Sequence, residues 1–314
     1  MWKIVLRRLI MGVVLLLVVS ALIFVLVSLI PGDAAQAILG PNASEAQLEA
    51  LRAQLHLDLP LWQRYLEWVT AALHGDLGTS TVTPQAVTVQ LNKGLAVSVP
   101  LALGAVLISS LIGITLGTFA AVRGGALSRS LDIVALLGMA LPTFWIALVF
   151  SNIFGVQLRW FPATGFTSFD DDPVAWLRSL VLPVAALCIG GIAGISRQSR
   201  DSIDDTLSRE FVDALRVQGY SRRRILFGHV AKTAAIPTIA MIGGQFVTVI
   251  SSAVLVESVF GLPGLGSIAI RATLNRDLPV IVAAAIYICL IVIVVNLVLD
   301  LVYAAINPKV RVKA

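Results

Sequence analysis

At 314 residues, 58% hydrophobic and only 13% charged, the chain is too apolar for a water-soluble domain, which carries about 45–50% apolar and about 25% charged residues. The surplus must face a solvent other than water, and the bilayer is that solvent. A net charge of +5 does not point to nucleic acid, because the basic residues lie between apolar runs rather than together on a soluble domain.

Six membrane spans are predicted along the chain. Lys3, Arg7 and Arg8 precede an uncharged run from Leu9 to Ile30. That run exceeds the roughly 7–15 residues of a cleavable signal core and can cross about 30 Å of hydrocarbon at 1.5 Å per residue, so it is expected to stay as the first span. The others are Val97–Val122, Ile133–Gly155, Leu180–Ser196, Ile236–Val256 and Val280–Ile306. The fourth carries Pro183 near its start and Gly190, Gly191 and Gly194 within it. Small residues let helices approach closely in lipid, so this span is expected among its neighbours.

With the N-terminus inside, the inner segments hold 16 of the 23 Lys and Arg residues. This bias puts both termini in the cytoplasm. The long outer segment between the first two spans has structure of its own. Ser44 with Glu45 reads as the start of one helix. Leu61–Leu73 reads as an amphipathic helix bearing Trp62, Tyr65, Leu66, Trp68 and Val69, suited either to the membrane interface or to an outside partner.

The inner segment from Arg197 to Ala235 mixes eight basic residues with Asp201, Asp204, Asp205, Glu210 and Asp213. Leu207, Phe211, Ala214 and Leu215 recur at helical spacing. That describes a helix with one face for water and one for protein. Gly219 interrupts it as a terminating glycine does, and Ser221 can cap a second helix through Ala235. Such a helix, joined rigidly to two spans, can act as a lever on them.

Chemistry-bearing residues are sparse. Cys188 and Cys289 sit in apolar runs as free thiols, and His56, His74 and His229 all lie outside the spans, so no metal site or cofactor is expected. The mid-span polar residues Ser109, Ser110, Gln245, Ser251, Ser252 and Asn296 are uncharged. There is no Gly-Lys dipeptide and hence no phosphate-cradling loop of the G-x-x-x-x-G-K type. Any ATP-derived energy must come from another chain.

Asp213-Ala214-Leu215, three residues, then Gly219 resembles the E-A-A-x-x-x-G element of ABC importer permeases. The run from Asp213 to Leu226 with Pro237, 18 residues after Gly219, is similar to the dipeptide/oligopeptide/nickel branch. So are Pro31-Gly32-Asp33, Leu57 to Leu61, Gly75 to Ser80, Glu257 to Gly266 and Asn275 to Pro279. The layout resembles the first permease of the usual pair. Asp213 and Leu215 depart from the family's Glu and Ala while keeping carboxylate and apolar character.

The resemblance implies an all-α polytopic type I permease fold of six transmembrane helices. It divides into residues 1–95 (first span and outer segment) and 96–314 (five spans and the inner segment 197–235). It also implies a second homologous permease subunit, two ATPase subunits, an extracytoplasmic substrate-binding protein and a bacterial inner membrane. ATPase docking falls to Phe211, Asp213, Ala214, Leu215, Gly219 and Ser221. Path candidates are Gln245, Ser251, Ser252 and Asn296; binding-protein contacts are Trp62, Phe260 and Leu262. The substrate could be a di- or oligopeptide, a nickel chelate, glutathione or another small solute. An ion-coupled carrier would need midplane ionisable groups, and an intramembrane enzyme a polar catalytic set at depth; Asp132, Glu257 and Asp300 fall instead at span ends.

Overall fold

The computed structural model describes residues 2–29, 34–40, 43–54 and 58–306. Pro31-Gly32-Asp33, Leu57 and the basic residues Lys309, Arg311 and Lys313 lie outside them. Among the described residues the chain is helical, with one isolated antiparallel bridge between Thr79 and Ala86. In order the helices are α1 (Trp2–Ser28), α2 (Ala34–Leu39), α3 (Glu45–Gln54), α4 (Leu61–Leu73), α5 (Val87–Arg123), α6 (Gly125–Ala140), α7 (Thr143–Phe150, continued by a wide turn Ser151–Gln157), α8 (Pro173–Leu207), α9 (Glu210–Val217), α10 (Arg222–Ile225), α11 (Ala231–Phe260), α12 (Leu265–Leu274) and α13 (Leu278–Ile306).

Among the described residues five helices are long and apolar enough to cross a bilayer, and a sixth crossing is available if a bent pair counts as one span. The expected third span, Ile133–Gly155, is that pair: Ser128–Ala140 and Thr143–Gln157 meet at 94°. Pro142 causes the break. It has no N–H to donate and its ring disfavours helical geometry at the residue before it, and Leu141 is extended, with φ −78° and ψ 129°.

The fourth span also runs further than its hydropathy indicated. α8 has 35 residues, about 52 Å of rise against about 30 Å of hydrocarbon. Asp172 fixes its start: the carboxylate accepts from the N–H groups of Val174 (2.9 Å) and Ala175 (3.1 Å), with Pro173 at the first helical position. The far end projects beyond the apolar stretch and stops at Ser208, whose hydroxyl donates to the Asp205 carbonyl (2.9 Å). Leu207 and Phe211, expected on one helix, therefore belong to α8 and α9. The helix expected from Ser221 to Ala235 likewise does not stop there: a wide turn at Leu226–Val230 passes into α11, which carries Pro237 within it.

Contacts group the chain into two units, each taken by itself. One comprises Ser98–Leu262 with residues 1–5 and 294–314. At its centre is α8, packed against α6, α7 and α11. Of its membrane window 72% is buried, against 33% or less in the other unbroken spans, which bears out the placement read from its glycines. A Cβ on Gly191 would lie 2.8 Å from Gln245 Nε2 and 2.9 Å from Ser109 Oγ, and one on Gly194 2.8 Å from Met241 Cε. A methyl at either glycine would have to displace these neighbouring side chains, so the bare glycines let the helices approach closely.

The second unit comprises Leu6–Val97 and Pro263–Ile293. Its core joins Val87 and Leu91 of α5, Leu265, Ile268 and Ala272 of α12, and Val280, Ala283 and Ala284 of α13. α3 begins as expected at Ser44, in a reciprocal cap: Ser44 N–H donates to Gln47 Oε1 (3.0 Å) and Gln47 N–H to Ser44 Oγ (3.4 Å).

Candidate functional site

The segment between α8 and α11 folds on a small core of its own. Ile203 of α8, Val212 of α9, Ile225 of α10, and Val230 and Ala234 at the start of α11 are buried together, with Leu207, Leu215, Tyr220 and Leu226 against them. α9 is thereby held by its inner face. Its outer face carries Phe211, Ala214 and Val217, three residues apart and all exposed. Val217, which the sequence reading passed over, is 89% exposed. Leu215, expected on the docking edge, instead packs against the core because it shares a side with Val212.

Gly219 stands where a terminating glycine was expected, with φ +80°. Its N–H donates to the Arg216 carbonyl (3.0 Å) and the Tyr220 N–H to the Leu215 carbonyl (3.1 Å). This pair of bonds is a Schellman closure. Ser221 then caps α10 through the Arg224 N–H (3.4 Å). Asp213 pairs with Arg216 on the exposed side at 2.8 Å, and the Arg224 guanidinium lies 4.8 Å from the Tyr220 ring centre. The site thus offers an apolar strip edged by charges of both signs.

An ionic knot secures the helix that carries this segment. Arg200 of α8 bonds Asp132 of α6, and also Ser128 Oγ (3.2 Å) and Asp201 (2.9 Å). The bond to Asp132 chiefly holds the guanidinium pKa above its ordinary value, and burial pushes the nearby Asp204 carboxyl up.

Of the path candidates, Ser251 on α11 and Asn296 on α13 are exposed, while Gln245 and Ser252 are half-buried. Ser251 belongs to a strip of exposed residues on α11 at helical spacing: Gly244, Thr248, Ser251, Leu255 and Ser258. Each hydroxyl in it returns to a carbonyl one turn back, as Ser251 Oγ does to Val247 (3.1 Å), so no unpaired donor faces an apolar neighbour. At the end of α11, Glu257 is buried and accepts from Ser98 Oγ (2.6 Å).

Among the expected binding-protein contacts Trp62 is 66% exposed, but Phe260 and Leu262 are each 1% exposed. Their apolar side chains fill the interior, and the loop they shape closes through the Leu262 N–H on the Glu257 carbonyl (2.8 Å) and the Gly165 N–H on the Phe260 carbonyl (2.8 Å). They cannot present a contact surface as they stand. Sequence reasoning also missed a clamp in the second unit. Asp277, 4% exposed, accepts from Ser80 Oγ and from the Thr81 N–H (3.2 Å), while Ser80 Oγ accepts from the Thr83 N–H (2.9 Å). Both residues lie in blocks that carried the family resemblance, yet 197 positions separate them, so no local pattern could pair them.

Comparison with known proteins agrees with this architecture. Residues 113–312 match the family described as binding-protein-dependent transport system inner membrane component, and residues 1–91 match its N-terminal companion. A protein named as a peptide transport system permease in Brucella abortus (strain 2308) is 33% identical over 312 residues, covering 99% of each chain. A peptide permease protein of Brucella suis biovar 1 is 37% identical over 98% of each. The glutathione transport system permease protein GsiC of Salmonella choleraesuis is 34% identical over 98% of this chain and 99% of that one. In fold, the chain resembles a chain of the inward-facing MetNI methionine ABC transporter, with a TM-score of 0.58 at 15% identity over 69% of this chain and 96% of that one. The chain therefore belongs to the family of binding-protein-dependent transport system inner membrane components, as a multi-pass permease subunit of an ATP-driven importer.

Proposed function

We propose that this subunit forms half of a path for peptides or a similar small solute, completed by a second homologous permease. Two ATPase subunits drive it and an extracytoplasmic binding protein delivers the substrate, in a bacterial inner membrane with both termini in the cytoplasm. It needs no cofactor or metal and no nucleic acid. The observation that carries this reading is α9: its back is locked to α8 and α11 by a buried core, and its free face is apolar. A lever needs that division, since a partner pushing on Phe211, Ala214 and Val217 then moves two membrane helices together. Relatives named for peptides and for glutathione support the substrate class. The hydroxyl strip Thr248, Ser251 and Ser258 on α11 supports a weakly binding, neutral polar lining.

Ala214→Glu tests the docking face. A carboxylate placed in an apolar contact should weaken ATPase retention on the purified permease pair, while membrane yield stays normal because Ala214 is exposed. Unchanged retention would remove α9 as the docking element. Reporter fusions near Gln54 and after Ala314 test the topology, with activity outside the cytoplasm expected only for the first.

A further inference from the structure

The free surface of α4 can be assigned to a ligand from its faces and its depth. Tyr65 donates its hydroxyl to the Leu17 carbonyl (3.0 Å), and the same hydroxyl shares a hydrogen bond with Ser20 Oγ (2.8 Å). Its ring packs edge-on to Phe24, 5.6 Å between centres. Leu17 is the midpoint of the apolar span Leu6–Ser28, about 16 Å of helix rise from either end. A tyrosine that touches α1 from Leu17 to Phe24 belongs to a helix lying beside the Ser28 half of that span, not above its end.

The sides of α4 divide in the same sense. Tyr65, Trp68 and Ala72 share the side turned toward the unit's interior, Trp68 and Ala72 packing against its core. One position further round, Trp62, Leu66 and Leu73 form an apolar strip, 66%, 53% and 80% exposed. One further still, Glu67, Thr70 and His74 form an exposed polar strip. Arg64 reaches along Phe24, its guanidinium carbon 5.8 Å from the ring centre, as a long cationic side chain does when its stem is in an apolar layer and its head seeks water. A protein-packed side, an exposed apolar side and an exposed polar side in succession suit a helix lying in a membrane interface. A soluble partner would have to reach the apolar strip beside the Ser28 half of a membrane span.

We propose that α4 is inserted in the leaflet at the Ser28 end of α1, with Trp62, Leu66 and Leu73 as its phospholipid-contacting face. This assigns Trp62 to lipid rather than to a binding protein, and it holds whichever side of the membrane that leaflet faces.

The full chain, with its permease and ATPase partners, is reconstituted in phosphatidylethanolamine–phosphatidylglycerol vesicles. Spin labels are placed by Leu66→Cys, Leu73→Cys, Glu67→Cys and Thr70→Cys, with Cys188 and Cys289 replaced by alanine. Collisions with oxygen, which concentrates in lipid, should exceed those with a water-soluble nickel chelate severalfold at 66 and 73, and the order should reverse at 67 and 70. As a check needing no label, Trp62→Phe should lower the fraction of the fluorescence quenched by brominated phospholipid. Equal access to the nickel chelate at all four sites, or quenching indifferent to Trp62, would overturn the assignment. So would protection of 66 and 73 that arises only when a binding protein is added. Loss of ATPase retention in an Ala214→Glu chain leaves these readouts unaltered, so failure of the docking reading and of this one can be told apart.

Discussion

Substituting Gly219 in series separates a backbone requirement from a contact. The residue holds φ +80°, and nothing lies within 4 Å of where a Cβ would stand. A side chain there meets no neighbour, and its cost is that of the left-handed conformation, about 1–2 kcal/mol for an ordinary residue. Asparagine tolerates that conformation and valine, branched at Cβ, tolerates it least. If the chain escapes the strain, the Gly219 and Tyr220 hydrogen bonds open, each contributing about 0.5–1.5 kcal/mol, and α10 leaves the Ser221 cap behind it. A penalty of 1–2 kcal/mol on an end that must be closed for docking corresponds to roughly a 5–30-fold drop in the aligned population. Transport in reconstituted vesicles should therefore fall in the order wild type, Gly219→Asn, Gly219→Ala, Gly219→Val. Membrane yield should stay level, since the position lies outside the apolar spans. Wild-type transport by the valine chain would refute the reasoning, and so would an asparagine chain no better than valine. The second result would mean that a partner occupies the space beside Gly219.

Gly117→Ala should destabilise the packing of α5 on α8 by about 1–3 kcal/mol or more, read as a lowered thermal midpoint in detergent, because the new methyl would overlap the Ser196 carbonyl oxygen and crowd Ser199 Cβ at 2.9 Å. Asp277→Ala should cost about 1–3 kcal/mol and expose the segment from Ser80 to Gln85 to protease, since one carboxylate holds both Ser80 and Thr81. Ser251→Trp should block transport without loss of assembly, whereas the same change at the fully buried Ser109 should abolish yield; equal yield for both would contradict the exposed strip on α11.

Local pattern decided much of this protein. Hydropathy alone requires a multi-pass chain, and the mixed charges and apolar residues Phe211, Ala214 and Leu215 before Gly219 marked the segment between α8 and α11, though Leu207, read with them, belongs to α8. Gly219 was legible because a positive φ has few tenants, and Ser44 and Ser221 because a cap is a bond over three residues. Glycines in the fourth span foretold its burial, since close approach needs a missing side chain. What stayed hidden depends on partners distant in sequence. Phe260 and Leu262 read as surface in a glycine-rich loop, and only packing sent them inside. Ser80 finds Asp277, Asp132 finds Arg200 and Tyr65 finds Leu17 across 197, 68 and 48 positions. Periodicity tells which face of a helix is apolar; the tertiary structure alone says whether protein, lipid or a partner covers it, because that depends on which neighbours the rest of the chain has brought alongside.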